Sequence, residues 1–222
     1  MAELLEALAL DSTVRARLAR FGGLLAAANA RTNLTAARDA GAIAEHVRDS
    51  LALAPFVRAP YVDVGSGGGF PGIVLALATG AATTLVESTG KKAKFLVDVA
   101  RALGLELRVL PQRAEDAGRE PGVRATFASA TARAVGSLPT VMELTAPLLA
   151  VGGVALLQRA LVEPAERAAA EDAAPILGLR PLEDIGLEGD LRIVRFIKET
   201  ETPQRFPRRA GVPSKRPLCL TV

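Results

Sequence analysis

The first apolar periodicity in the chain is helical. Between residues 13 and 28, Val14, Leu18, Phe21, Leu25 and Ala28 recur three or four apart behind Asp11 or Ser12, either of which suits a helix cap. Asn33-Leu34-Thr35 interrupts the period, and a second helix is predicted from about Asp39 to Ala54, ahead of Pro55. From Tyr61 the pattern changes to short β-rich runs alternating with helical ones. The spacing predicts strand 61–64, helix 72–79, strand 83–87, helix 90–103 closed by Gly104, strand 105–110, a strand within 124–131, helix 137–149, strand 153–158 and helix 163–174. Two further strands, near 179–183 and 192–198, lack a convincing helix between them, which permits an antiparallel final pair. Such alternation predicts an α/β chain: a doubly wound, mostly parallel seven-stranded sheet with helices on both faces. The implied organisation is an N-terminal helical extension over 1–58, the sheet domain over 59–200 and a tail over 201–222. In that tail Pro203, Pro207, Pro213 and Pro217 interleave with Arg205, Arg208, Arg209, Lys215 and Arg216. From Thr202 it contains no acid, and its composition predicts an extended, nearly structureless segment.

The stretch that organises the rest is Tyr61-Val62-Asp63-Val64-Gly65-Ser66-Gly67-Gly68-Gly69-Phe70-Pro71-Gly72-Ile73. It reads as strand, tight turn and helix, with glycines that let the backbone approach a ligand closely. Two ligand types fit the spelling. Gly67 to Gly72 matches the G-x-G-x-x-G dinucleotide fingerprint, with Glu87 at the right distance for a ribose hydroxyl. Asp63 argues the other way, because a carboxylate beside the helix N-terminus repels a pyrophosphate. D-x-G-x-G-x-G suits a ligand that carries a cation, as S-adenosylmethionine does with its sulfonium and amino groups.

Ligands of doubly wound sheets bind beyond the carboxyl ends of the strands. Glu87, after the second strand, is placed to accept from both ribose hydroxyls, followed by Ser88 and Thr89; Ala114 and Glu115, after the third, can face an adenine edge. Arg133 follows the fourth strand and offers a planar donor fork and a stacking face suited to guanine. His46, Asp49 and Ser50 share one helix face, without the geometry of a hydrolase triad. They make either a hydrogen-bonding patch on the cofactor cleft or a packed histidine with its acid partner.

Composition narrows the field. The 222 residues are 50% hydrophobic and 23% charged, enough for one sizeable core. No apolar run is long enough to cross a bilayer, and Glu3 and Glu6 stand where a secretory signal carries Lys or Arg; a cytoplasmic location is expected, with no membrane partner. A single cysteine, Cys219, and a single histidine give no metal-ligand cluster, so no metal is expected. A net charge of +3 permits an anionic partner, and Lys91, Lys92 and Lys94 with the basic tail offer a surface for phosphates. There is no N/D-P-P-Y/F stretch for an exocyclic amine and no Pro-Cys for carbon-5 pyrimidine methylation. Guanine N7, which carries an in-plane lone pair and needs no activation, remains.

Several segments together resemble the RsmG (GidB) family, bacterial methyltransferases that modify guanine N7 in 16S ribosomal RNA. They are Asn33-Leu34-Thr35, His46 to Leu51, Asp63 to Ile73, Lys91 to Leu96, Arg113-Ala114-Glu115, Ala132 to Val135, and Thr202-Pro203 with Phe206 to Pro213, in family order across nearly the whole chain. The resemblance implies a class I, Rossmann-like methyltransferase acting on 16S rRNA or the small ribosomal subunit, expected as a monomer. S-adenosylmethionine would be the cofactor and S-adenosylhomocysteine its product. Asp63, Gly65, Gly67, Phe70, Glu87, Ser88, Thr89, Ala114, Glu115 and Arg133 would line the cofactor pocket, with Arg133 bordering the methyl group and the incoming base as the catalytic residue. The chain departs from the family at Gln158-Arg159-Ala160, where many relatives have Lys-Gly, and at Ala128, where many have Asp. Two other readings stay open: an NAD-dependent oxidoreductase built on Gly67 to Gly72, and a non-catalytic RNA-binding protein with a methyltransferase fold.

Overall fold

A computed structural model describes residues 3–6 and 10–219 of the chain. Helix α1 runs Ser12–Thr32, and Asp11 rather than Ser12 caps it, its carboxylate accepting from Thr13 and Val14 N–H. Helix α2 is Ala40–Leu51, shorter than the apolar pattern suggests; a separate 3-10 turn, Ala54–Phe56, takes up the residues around Pro55. Between the two helices, Asn29 fixes the loop. Its amide donates to the Thr35 and Ala37 carbonyls while its Oδ1 accepts from Leu34 and Thr35 N–H, which sets Thr35 against Gly68.

The sheet domain contains β1 Tyr61–Val64, α3 Gly72–Thr79, β2 Thr83–Val86, α4 Gly90–Ala102, β3 Leu107–Leu110, the single turn α5 Ala114–Ala117, and β4 Phe127–Ala132. Then come α6 Leu138–Thr145, β5 Leu149–Arg159, α7 Pro164–Ile176, β6 Leu179–Gly186 and β7 Arg192–Lys198. Helix α6 stops before Pro147, which has no N–H to continue it, so the residues expected to end this helix lead into β5 instead. The strand order is β3-β2-β1-β4-β5-β7-β6, parallel except at β7, which runs antiparallel to both its neighbours. The chain winds outward from β1 through β2 to β3 and then crosses to β4 on the other side of β1. That reversal opens a crevice at the carboxyl ends of β1 and β4.

Strand β1 is buried at all four positions, which is why its residues are apolar except for Asp63, whose carboxylate is satisfied inside the chain. On one face Leu18, Phe21, Leu25, Val47, Phe70, Ile73 and Leu96 form a core that joins the extension to the sheet. The opposite face packs Val62, Val64, Leu138, Met142, Leu157 and Phe196.

The tail departs from its predicted character. It is packed against the sheet domain and contains the one-turn helix α8, Val212–Lys215. Phe206 is buried, and Arg124 donates to the carbonyls of Thr202, Phe206 and Gly118. Arg208 grips the wholly buried Glu143 carboxylate through Nε and Nη2, and its backbone N–H donates to the same group. Arg208, one of the basic residues that suggested a free, phosphate-seeking segment, is therefore an anchor.

Candidate functional site

The turn after β1 is held from below. Gly65 and Ser66 N–H donate to the Val86 carbonyl, and Ser66 Oγ donates back to the Asp63 carbonyl. Gly65 sits at φ 73° with Val135 so close that a Cβ would lie 2.7 Å from its Cγ2. Gly72 is equally constrained: a Cβ there would meet Leu85 at 2.4 Å and the Asp63 carboxylate at 2.7 Å. These two positions explain why the segment needs glycine where helix, strand and turn converge.

Asp63 lies under the turn and is 0% exposed. Its Oδ2 accepts from Gly72 N–H at 3.1 Å and its Oδ1 from the Thr131 hydroxyl at 2.7 Å; Tyr61 OH meets that same hydroxyl at 2.6 Å. Burial, only partly offset by these bonds, lifts its carboxyl from 3.8 to about 6. Asp63 is not among the residues lining the neighbouring cavity; it occupies the N-terminus of α3, the place a pyrophosphate takes in a dinucleotide fold, and shapes the turn from beneath.

Glu87 sits at the end of β2, with Oε2 accepting from Gly67 N–H at 2.9 Å and Oε1 from Thr89 N–H at 2.7 Å. Two of its roughly four acceptor directions are used, which leaves capacity for a pair of hydroxyls. Beside it opens a cavity of about 130 Å³ lined by Gly65, Ser88, Ala114, Glu115, Val135 and Ser214, among others. The structure thus brings Gly65, Ser88, Ala114 and Glu115 together, with Gly67, Glu87 and Thr89 bonded to one another next to them. Glu115 is buried; its Oε1 accepts from Gly211 N–H at 2.8 Å and from Arg113 Nη2, and its Oε2 accepts from Arg113 Nε. Its carboxyl lies below the usual value because these bonds outweigh the burial that opposes them. Val135 and Ser214 were not singled out from the sequence. The run Ala132 to Val135 was a usable signal for the first, whereas Ser214 lies in the tail that composition assigned to solvent.

Phe70 does not face this cavity. Its buried ring packs between Phe21 at 5.4 Å and His46 at 5.3 Å, and the Arg133 guanidinium lies over it at 5.2 Å from the centroid. Arg133 thereby faces a second hollow, an open groove of about 590 Å³ bounded by Thr35, His46, Asp49, Arg133, Gln158 and Leu161, among others. The segment 133–135 is the wall between the two hollows, with Arg133 on one side and Val135 on the other. Burial lowers the Arg133 pKa, opposed by Asp49 and Asp63, without removing its charge. Burial and the neighbouring Arg133 also lower that of His46, so its imidazole is neutral near pH 7. Ser50 parts from its helix neighbours: it is fully buried and donates to the His46 carbonyl at 2.6 Å, so no serine–histidine pair exists.

Comparison with known proteins decides the lineage. The family model described as rRNA small subunit methyltransferase G (GidB) matches residues 15–190. The chain belongs to this family. Among family members, the protein named ribosomal RNA small subunit methyltransferase G from Rubrobacter xylanophilus is 42% identical over 210 residues, covering 88% of this chain and 80% of that one. Its namesake from Chloroflexus aggregans is 42% identical over 200 residues, covering 86% and 84%. Among solved structures, cofactor-bound Rv0187 from MTB superposes with a TM-score of 0.61 at 18% identity over 90% of this chain and 96% of that one, a likeness of fold. The solved structure agrees with the seven-stranded Rossmann-like sheet found in this chain.

Proposed function

We propose that this chain is an S-adenosylmethionine-dependent methyltransferase that methylates N7 of a guanosine in 16S ribosomal RNA. The observation that carries the reading is the match of residues 15–190 to the GidB family. The geometry fits the cofactor. Glu87 retains acceptor capacity for the ribose hydroxyls, Gly65 and Gly67 give close backbone approach for the methionine end, and Ser88, Thr89, Ala114 and Glu115 flank the space for the adenine. Asp63 holds the turn that makes this space and fills the helix end that a dinucleotide's pyrophosphate would need, which disfavours the NAD reading. When bound, S-adenosylmethionine supplies an electrophilic methyl group and leaves as S-adenosylhomocysteine, and guanine N7 needs no base to accept that methyl. The chain's own work is then positioning and electrostatics: Arg133 borders the reacting atoms from the wall between the two hollows, and water is excluded by Val135 and the turn.

A-form RNA hides N7 in a deep, narrow groove, so the target guanosine lies in a loop or is flipped out. Helices α1 and α2 and those tail cations not engaged in anchoring supply backbone contacts, and the protein acts in the cytoplasm as a monomer. Incubating the purified chain with labelled S-adenosylmethionine and either rRNA or assembled small subunits tests this. Label should appear as 7-methylguanosine at one position. Incorporation into neither substrate, or tight NAD binding without S-adenosylmethionine binding, overturns the reading.

A further inference from the structure

The groove beyond Arg133 contrasts with the bonded turn because its polar groups are left over. Gln158, near the end of β5, is only 3% exposed. Its Nε2 donates to the Asp49 carbonyl at 2.7 Å, which fixes the amide orientation, and its Oε1 has no partner. His46 Nδ1 is likewise buried without a partner. Among the described residues neither the Asp49 carboxylate nor the Arg133 guanidinium makes a hydrogen bond or a salt bridge, although their charges attract each other across the groove, and the Phe70 ring lies beneath Arg133. Arg159 on the same wall is different, since it donates to the Gly136 carbonyl and lies 3.9 Å from Glu166. A buried acceptor without a donor costs free energy unless a ligand supplies one.

We propose that this groove reads the Watson–Crick edge of the target guanine, with the Asp49 carboxylate and Gln158 Oε1 accepting from its N1–H and 2-amino groups. This inference rests on the function proposed above and adds to it the residues that choose the base. Guanine presents two adjacent donors on that edge, and the groove presents two acceptors, the Asp49 carboxylate and Gln158 Oε1, that have no donor among the described residues. Adenine places a lone pair at N1 and has no 2-amino group, so a carboxylate would oppose it. Arg133, on the wall shared with the cofactor cavity, supplies donors for O6 and leaves the N7 lone pair free. Methyl transfer to N7 also makes the purine cationic, which strengthens the N1–H bond to Asp49 as the reaction proceeds. Such a contact helps the transition state more than the ground state.

The test is a cycle between enzyme and substrate. Once the methylated guanosine is mapped, small subunits are assembled with rRNA carrying inosine, which lacks only the 2-amino group, at that position. The wild-type chain should lose about 10- to 100-fold in kcat/KM on inosine. Gln158→Met should lose a similar factor on guanosine and no longer distinguish the two bases, with S-adenosylhomocysteine affinity unchanged. Asp49→Asn should slow both substrates equally, because inosine keeps N1–H. Equal wild-type rates on the two bases overturn the inference without any variant, and so does discrimination that survives in Gln158→Met; in both cases methyl transfer itself persists and the proposed function stands. Absence of transfer to any rRNA overturns both.

Discussion

The glycine turn and the groove beside it lie on opposite sides of residues 133–135, yet they treat polar atoms in opposite ways. At the turn, the Asp63 and Glu87 carboxylates and the N–H groups of Gly65, Gly67 and Gly72 all have partners within the chain. In the groove, Gln158 Oε1 and His46 Nδ1 have none. One side is a scaffold whose bonds fix its shape before a ligand arrives, and the other keeps its bonding capacity for the ligand. Substitutions on the bonded side should therefore be felt as lost stability, and those in the groove as lost rate.

The largest expected effect lies on the bonded side, where the tail borders the first cavity. Arg208→Ala leaves the Glu143 carboxylate, which is 0% exposed, with only the backbone N–H of residue 208. A loss of about 3–5 kcal/mol in urea unfolding is expected; a loss below about 1 kcal/mol would show that the tail is not held this way. Next comes Arg133→Ala in the groove. Methyl transfer should fall about 100-fold, equivalent to about 2.7 kcal/mol, while stability moves by less than about 1 kcal/mol because among the described residues the guanidinium makes no hydrogen bond or salt bridge, only the Phe70 ring contact and a longer-range attraction to Asp49 and Asp63. A stability loss as large as the rate loss would erase the contrast between the two hollows. Gly72→Ala should cost about 1–3 kcal/mol by overpacking between Leu85 and Asp63, read as a shift in denaturation midpoint.

The smallest effect at neutral pH is that of Asp63→Asn, whose signature is a slope. Burial lifts the Asp63 carboxyl from 3.8 to about 6, so between those values the folded chain keeps a proton that the unfolded chain has lost. Stability from this group is therefore full below pH 3.8, falls as pH rises to about 6, and is level above. Asparagine has no such proton, so the variant should gain on the wild type across that window. Parallel stability curves for the two proteins would refute the burial account.

Much of the scaffold was legible in the sequence because its signals are local. Tyr61 to Val64 is a short apolar run closed by glycine, and it forms β1 with the expected bounds, as does α3 over 72–79. The missing helix between the last two strands left room for an antiparallel pair, and β6 and β7 pair that way. What escaped is what depends on partners far along the chain. Arg208 meets Glu143 across 65 positions and Gln158 meets Asp49 across 109. Composition registers the charge of such a residue but not the group that neutralises it, so the anchoring Arg208 looked like a phosphate-facing one. The same reasoning explains Asp63: its position in the motif revealed that an acid guards the helix start, while its inward direction required the Thr131 hydroxyl on a neighbouring strand.

The placement of Ser214 and Gly211 carries a consequence for how the protein matures. The wall they add to the first cavity stands against Ser88 and Glu115, a hundred or so residues earlier. During synthesis the early strands can therefore assemble well before the chamber they outline has its final side. The chamber takes its final shape late, after the segment around Ser214 has swung back to seal the seam.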